Sequence, residues 1–197
     1  MTEMPLEPDS PDDGSHSSEI WHTDGGSRLE MIFDRALWSA SDIDLVRARL
    51  CIATDITCEM FDWPQLEVGG LLCGDERIRD LNRMFRDKDR PTNVLSFPTG
   101  EEVSPATGPH VAGEIAMAFE TLHAEAERDG KSAGDHLTHL WVHGLLHLMG
   151  HDHEDDADAD IMEAGEVRVL ARLGIADPYG EPGGDFTPPL AQAGRTG

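Results

Sequence analysis

Between Gly134 and Met149 the chain is apolar around almost the whole circumference of a helix, with Leu137, Leu140, Trp141, Leu145 and Leu148 set among histidines. A helix without a polar face belongs in the middle of a domain, so the rest of the chain must be built around this one. At about 3.6 residues per turn, His143 and His147 lie one turn apart on one face and point at a common place. Gly150 then offers the left-handed conformation that ends a helix and turns the chain back, bringing a third histidine toward the same place. His153 stands where that return leads, and His151 is its alternative.

Three imidazoles on one ion leave a fourth position for water or substrate, the arrangement of a catalytic zinc and not of a closed structural one. The expectation is one zinc ion per chain, held by His143, His147 and His153. Their spacing matches the zinc-peptidase pattern H-E-x-x-H-x-x-G-x-x-H at all positions but one, where Gly144 replaces the glutamate base. A zinc peptidase is therefore the alternative reading. His139, one turn before His143, shares its face, though a partly buried helix histidine is the plainer role. Asp152 is placed either to hydrogen-bond a ligand imidazole or simply to be solvated.

A length of 197 residues suits one domain with tails. The formal charge of −24 is unevenly spread: residues 1–26 hold seven acids and no Lys or Arg, and residues 154–197 hold ten acids against three bases. Residues 1–26 are rich in Pro, Ser, Asp and Gly without a periodic apolar face, and are expected to be a disordered acidic tail. Residues 27–176 form the expected domain, and residues 177–197 a flexible end. Cys51, Cys58 and Cys73 contain no C-x-x-C pair and read as small buried thiols of a reducing compartment. No stretch approaches the roughly 18 apolar residues of a membrane span, so the expected location is cytoplasmic.

Alternation over Arg28 to Phe33, Leu66 to Leu72, Val94 to Phe97 and Ala112 to Ala118 predicts four strands. Helical spacing predicts five helices: from a Ser41 or Asp42 cap to about Met60, Asp75 to Phe85, Phe119 to Arg128, Gly134 to Met149, and Asp155 to Leu173. Met162 falls inside the last helical pattern and reads as a core residue, not as the methionine turn of a peptidase.

Six of the fifteen Lys and Arg residues lie between 77 and 90. Such a run usually marks a solvated face, and Asp87 and Asp89 dilute it. In so acidic a chain it is nevertheless the candidate phosphate-contacting surface, because the guanidinium fork matches phosphate.

Two stretches together resemble the YbeY-type endoribonucleases, or ribosomal RNA maturation factors. His143-Gly144-Leu145-Leu146-His147-Leu148-Met149-Gly150-His151-Asp152-His153 is similar to that family's H-G-x-L-H-L-x-G-[YH]-D-H signature. Leu81 to Pro98 is similar to its L-N-x-x-[FYW]-R-x-K-D-x-P-T-[DN]-V-L-S-F-P stretch, and Gly113-Glu114-Ile115 to its G-[DE]-I element. The resemblance spans roughly residues 28–174. It implies an α+β fold, a small mixed four-stranded sheet packed against about five helices, with the metal-binding helix central. It implies zinc on His143, His147 and His153, and a catalytic role for Arg86 beside His143 and His147. It further implies cleavage of single-stranded RNA in ribosomal RNA maturation and ribosome quality control. Ribosomal proteins are candidate partners, and neither DNA nor membrane is expected as one. Asn93 stands where many members have Asp, and His151 where many have Tyr. A ribosome-assembly factor with a purely structural zinc is the remaining alternative.

Overall fold

The computed structural model describes residues 16–100, 110–151 and 156–180. The elements in order are β1 (His16–His22), β2 (Arg28–Asp34), α1 (Ala40–Met60), β3 (Leu66–Cys73), α2 (Asp75–Arg86), β4 (Val94–Pro98), β5 (His110–Ala118), α3 (Phe119–Arg128), α4 (Ala133–Leu148) and α5 (Asp156–Arg172). The strands form one mixed sheet in the order β1-β2-β3-β5-β4. The inner pairs β2/β3 and β3/β5 are parallel, and the outer strands β1 and β4 pair antiparallel to their neighbours. The fold is α+β as expected, but the sheet has five strands where the sequence predicted four.

The additional strand corrects the expected extent of the acidic tail, since His16–His22 is ordered against β2 from His16↔Asp34 to His22↔Arg28. As an edge strand it buries only Trp21 fully, so its sequence stays polar and carries almost no apolar signal. Its attachment is specific. Trp21 packs on Phe33 with ring centroids 5.5 Å apart, Arg47 lies over the indole, and Glu19 pairs with both the indole N–H and Arg47.

Because side chains alternate across a strand, the sheet has two distinct faces. Leu29, Met31, Phe33, Val68, Leu72, Ile115 and Met117 face the larger core, with α1, α4 and α5 above them. Leu71, Cys73, Leu95, Ala116 and Ala118 face the other way, onto Ile78 and Leu81 of α2. Trp141 of α4 is fully buried and donates its indole N–H to Thr54 of α1 at 3.0 Å, and Thr54 donates in turn to Leu50 O. The predicted central helix is therefore central, pressed between the sheet, α1 and α5.

Helix ends follow local chemistry. The cap of α1 is Ser39, not Ser41 or Asp42: it forms a capping box in which Asp42 is the reciprocal third residue. Ser132 caps α4 by accepting from Asp135 N. Gly113 (φ +139°) follows a bulge in which β5 gains a residue against Glu67 and Val68, and an added Cβ there would lie 2.2 Å from Phe97 O. No described helix is long and apolar enough to cross a membrane.

Candidate metal centre

α4 ends as its sequence requires. Gly150 adopts φ +89°, its N–H reaches His147 O at 3.0 Å, and His151 N–H reaches Leu146 O at 3.0 Å. This pair of bonds is the Schellman arrangement, and it folds the chain back over the last turn. The return brings the carbonyl of His151, not its ring, to His147: Nδ1 of His147 donates to that oxygen at 3.1 Å. The His151 ring packs edge-on against Phe61, where burial lowers its pKa.

His143 is fixed from the other side. Its Nδ1 lies 2.9 Å from Oε1 of Glu166, a fully buried residue of α5. A carbonyl and a carboxylate only accept, so both Nδ1 atoms carry the proton in the neutral rings, and both Nε2 atoms present lone pairs. Those two Nε2 atoms converge to 3.1 Å. Two acceptors at that distance repel unless a metal ion or a shared proton lies between them. Nitrogen ligands at about 2.0–2.1 Å from a tetrahedral zinc stand about 3.3 Å apart, so this donor set and spacing fit zinc. His153 and Asp152 lie outside the described residues. Among the described residues, no three His, Cys, Asp or Glu side chains are arranged to hold a metal ion by themselves.

Glu166 takes more than one histidine. Its Oε2 lies 2.8 Å from His139 Nε2 and accepts from the Tyr179 hydroxyl at 2.5 Å. Burial works against its charge, but the hydrogen bonds from His139, His143 and Tyr179 outweigh burial and bring its pKa down to about 2. His139 thus supports the pair through Glu166. Tyr179 belongs to the expected flexible end, yet residues 177–180 lie against the domain, with Lys131 Nζ donating to Pro178 O at 3.0 Å. Residues 181–197 lie outside the described residues. The sequence does hold a sign of Glu166: it shares a helical stripe with Met162, Val169 and Leu170, all buried, so the acid occupies an apolar position. Met162 is a core residue, as read.

Gly144 turns away from this site. It is buried against β5, and an added Cβ would lie 2.8 Å from Ile115 Cδ1 and 3.1 Å from Ile115 Cγ1 and Cγ2. The position that carries the peptidase glutamate is occupied here by the close approach of helix and sheet.

Arg86, the last residue of α2, reaches the edge strand β4, its Nη2 3.5 Å from Ser96 O. Ser96 pairs with Ile115, the residue on which Gly144 rests, so the guanidinium comes to the β4 edge at the level of the α4 histidine stretch. Arg86, Lys88, Arg90, Thr92, Thr121 and Glu125 line a cavity of about 260 Å³. Arg79 and Arg83 are paired with Asp89 and Asp80, so the cluster divides into solvated ion pairs and a smaller group around the cavity. The loop bearing that group is pinned: buried Asn82 donates to Arg90 O at 2.8 Å, and Asn93 donates to Glu125 Oε2 at 2.8 Å, an oxygen also 2.9 Å from His136 Nε2. Asn93 thus acts as an amide donor. Cys58 and Cys73 are buried thiols whose pKa values burial pushes up to about 11 and about 12, so neither is a nucleophile.

A sequence profile described as Endoribonuclease YbeY matches residues 44–174. The chain is 44% identical over 159 residues to the Endoribonuclease YbeY of Jannaschia sp., spanning 77% of this chain and 99% of that protein. It is 52% identical over 123 residues to the Endoribonuclease YbeY of Erythrobacter litoralis, spanning 59% of this chain and 76% of that protein. A solution structure from Thermotoga maritima is 22% identical, covers 78% of this chain and 99% of that one, and superposes with a TM-score of 0.49.

Proposed function

The chain belongs to the YbeY endoribonuclease family, and from that premise we propose that it cleaves single-stranded RNA with one zinc ion on His143, His147 and His153. In this reading it acts in ribosomal RNA maturation and ribosome quality control, in the cytoplasm, with ribosomal RNA as substrate and ribosomal proteins as partners. One observation supports the metal above all: the Nε2 atoms of His143 and His147 meet at 3.1 Å while each Nδ1 is engaged by an acceptor.

The ion, when bound, supplies Lewis acidity toward a scissile phosphate. The chain's own residues do the rest. Glu166 and the His151 carbonyl hold the Nδ1 protons, which keeps both Nε2 atoms unprotonated. Arg86 offers its fork to a phosphate at the β4 edge and offsets the charge that grows in the transition state, with Lys88 and Arg90 beside it. Position 144 supplies no base, so the attacking group is either the substrate's own 2′-hydroxyl or a water activated elsewhere. A 2′,3′-cyclic phosphate product identifies the first, and a 5′-phosphate product the second.

The test is cleavage of a single-stranded RNA by wild type, His147→Ala and Arg86→Glu, with zinc measured on each sample. His147→Ala is expected to lose the metal and Arg86→Glu to retain it, each losing cleavage by about 10²-fold or more. Full activity in a metal-free His147→Ala protein overturns the mechanism. Cleavage unchanged in Arg86→Glu, in a domain that melts when zinc is removed, favours a structural metal in an assembly factor.

A further inference from the structure

A carboxylate as deeply buried as Glu166 is costly unless all its oxygens are engaged. Both are: Oε1 meets His143 Nδ1 at 2.9 Å, and Oε2 meets His139 Nε2 at 2.8 Å and the Tyr179 hydroxyl at 2.5 Å. Three elements converge on one side chain. α4 contributes two histidines one turn apart, α5 the acid, and the segment after α5 the tyrosine, held down by Lys131 on Pro178 O. Packing alone does not call for this, since the neighbouring α5 positions Met162, Val169 and Leu170 fill the same interface with apolar atoms.

We propose that Glu166 is a positioning residue for His143, fixing both the tautomer and the aim of that imidazole, and that His139 and Tyr179 position Glu166 in turn. Free imidazole of histidine favours the proton on Nε2, which would block the ligating lone pair. The Glu166 carboxylate holds the proton on Nδ1 instead and presents Nε2 toward His147. It also raises the ring's electron-donating power, as carboxylates behind ligating histidines do. Tyr179 acts from outside the helix pair: by donating to Oε2 it occupies that oxygen and leaves Oε1 directed at His143. The segment that follows α5 therefore contributes to a ligand on α4. This inference rests on the reading of His143 as a metal ligand.

The experiment measures zinc affinity by competition with a chromophoric chelator, on the full chain, for wild type, His143→Ala, Glu166→Gln, Glu166→Leu and Tyr179→Phe. Imidazole ¹⁵N shifts of the metal-free proteins report the His143 tautomer. Glu166→Gln is expected to weaken zinc binding about 10- to 100-fold, and Tyr179→Phe by a smaller factor. Wild type is expected to show protonated Nδ1 at His143, and Glu166→Leu a shift toward Nε2–H. Tyr179→Phe removes only the hydroxyl of a half-exposed side chain and is expected to fold as wild type does, so it carries the test if the Glu166 variants do not fold. Zinc affinity unchanged in Tyr179→Phe and in a folded Glu166→Gln overturns the positioning role. If wild type binds no zinc, or His143→Ala binds it as tightly as wild type, the ligand reading itself fails and this inference with it.

Discussion

A glutamate at position 144 would face the sheet and not the ion. Alanine there gains about 1 kcal/mol of helix propensity over glycine but pushes a methyl into Ile115, and overpacking of this kind costs about 1–3 kcal/mol. Glutamate adds a charge buried without a partner. Gly144→Glu is therefore expected to lower stability by about 3 kcal/mol or more in urea unfolding, and to give no cleavage of casein. A stable Gly144→Glu protein with peptidase activity would overturn this account of the site. At this scale the sequence was legible for the histidine pair and for the helix stop at Gly150, because both follow from local spacing. The reason for Gly144 was not legible, since it lies in a strand about thirty residues upstream. Glu166 was visible only as an acid on an apolar stripe, and its partners come from two separate parts of the chain, α4 and the segment after α5.

Helices and inner strands announce themselves through periodic burial, and β1 does not. A strand at the edge of a sheet, covered on one face by a single helix, needs few apolar side chains; here the fully buried one is Trp21. Composition over residues 1–26 averages that one anchor into an acidic, proline-rich background and so extends the tail too far. The strand is held by Trp21 on Phe33 of β2 and by Arg47 of α1, which stacks on the indole and pairs with Glu19, so its anchoring needs both neighbours in place. Trp21→Ala is expected to cost about 3–5 kcal/mol, seen as a lower urea midpoint, because it removes the strand's anchor and uncovers Phe33. β1 and β4 are opposite edges of the sheet, so zinc affinity of the folded variant is expected to equal that of wild type. A midpoint within experimental error of wild type would mean that β1 contributes nothing to the domain.

The molecule as a whole carries a charge of −24, and lowering the pH relieves repulsion among many carboxylates at once. One acid behaves differently from that background. Glu114 is buried on the α2 side of the sheet, the side away from the histidines, and its Oε2 has no hydrogen-bond partner among the described residues. Burial pushes its pKa up to about 7 from an ordinary value of 4.5. Between those two values the folded protein holds a proton that the unfolded chain has released. Stability from this group is therefore full below the unfolded value, falls as pH rises, and levels off above the folded value. Glu114→Gln keeps the shape and removes the titration, while leaving the rest of the acidic background common to both proteins. In metal-free samples, the stability of Glu114→Gln relative to wild type is expected to rise by roughly 2–3 kcal/mol from pH 4.5 to pH 8. Parallel pH profiles would show that Glu114 is solvated in solution and ionises as an ordinary surface acid.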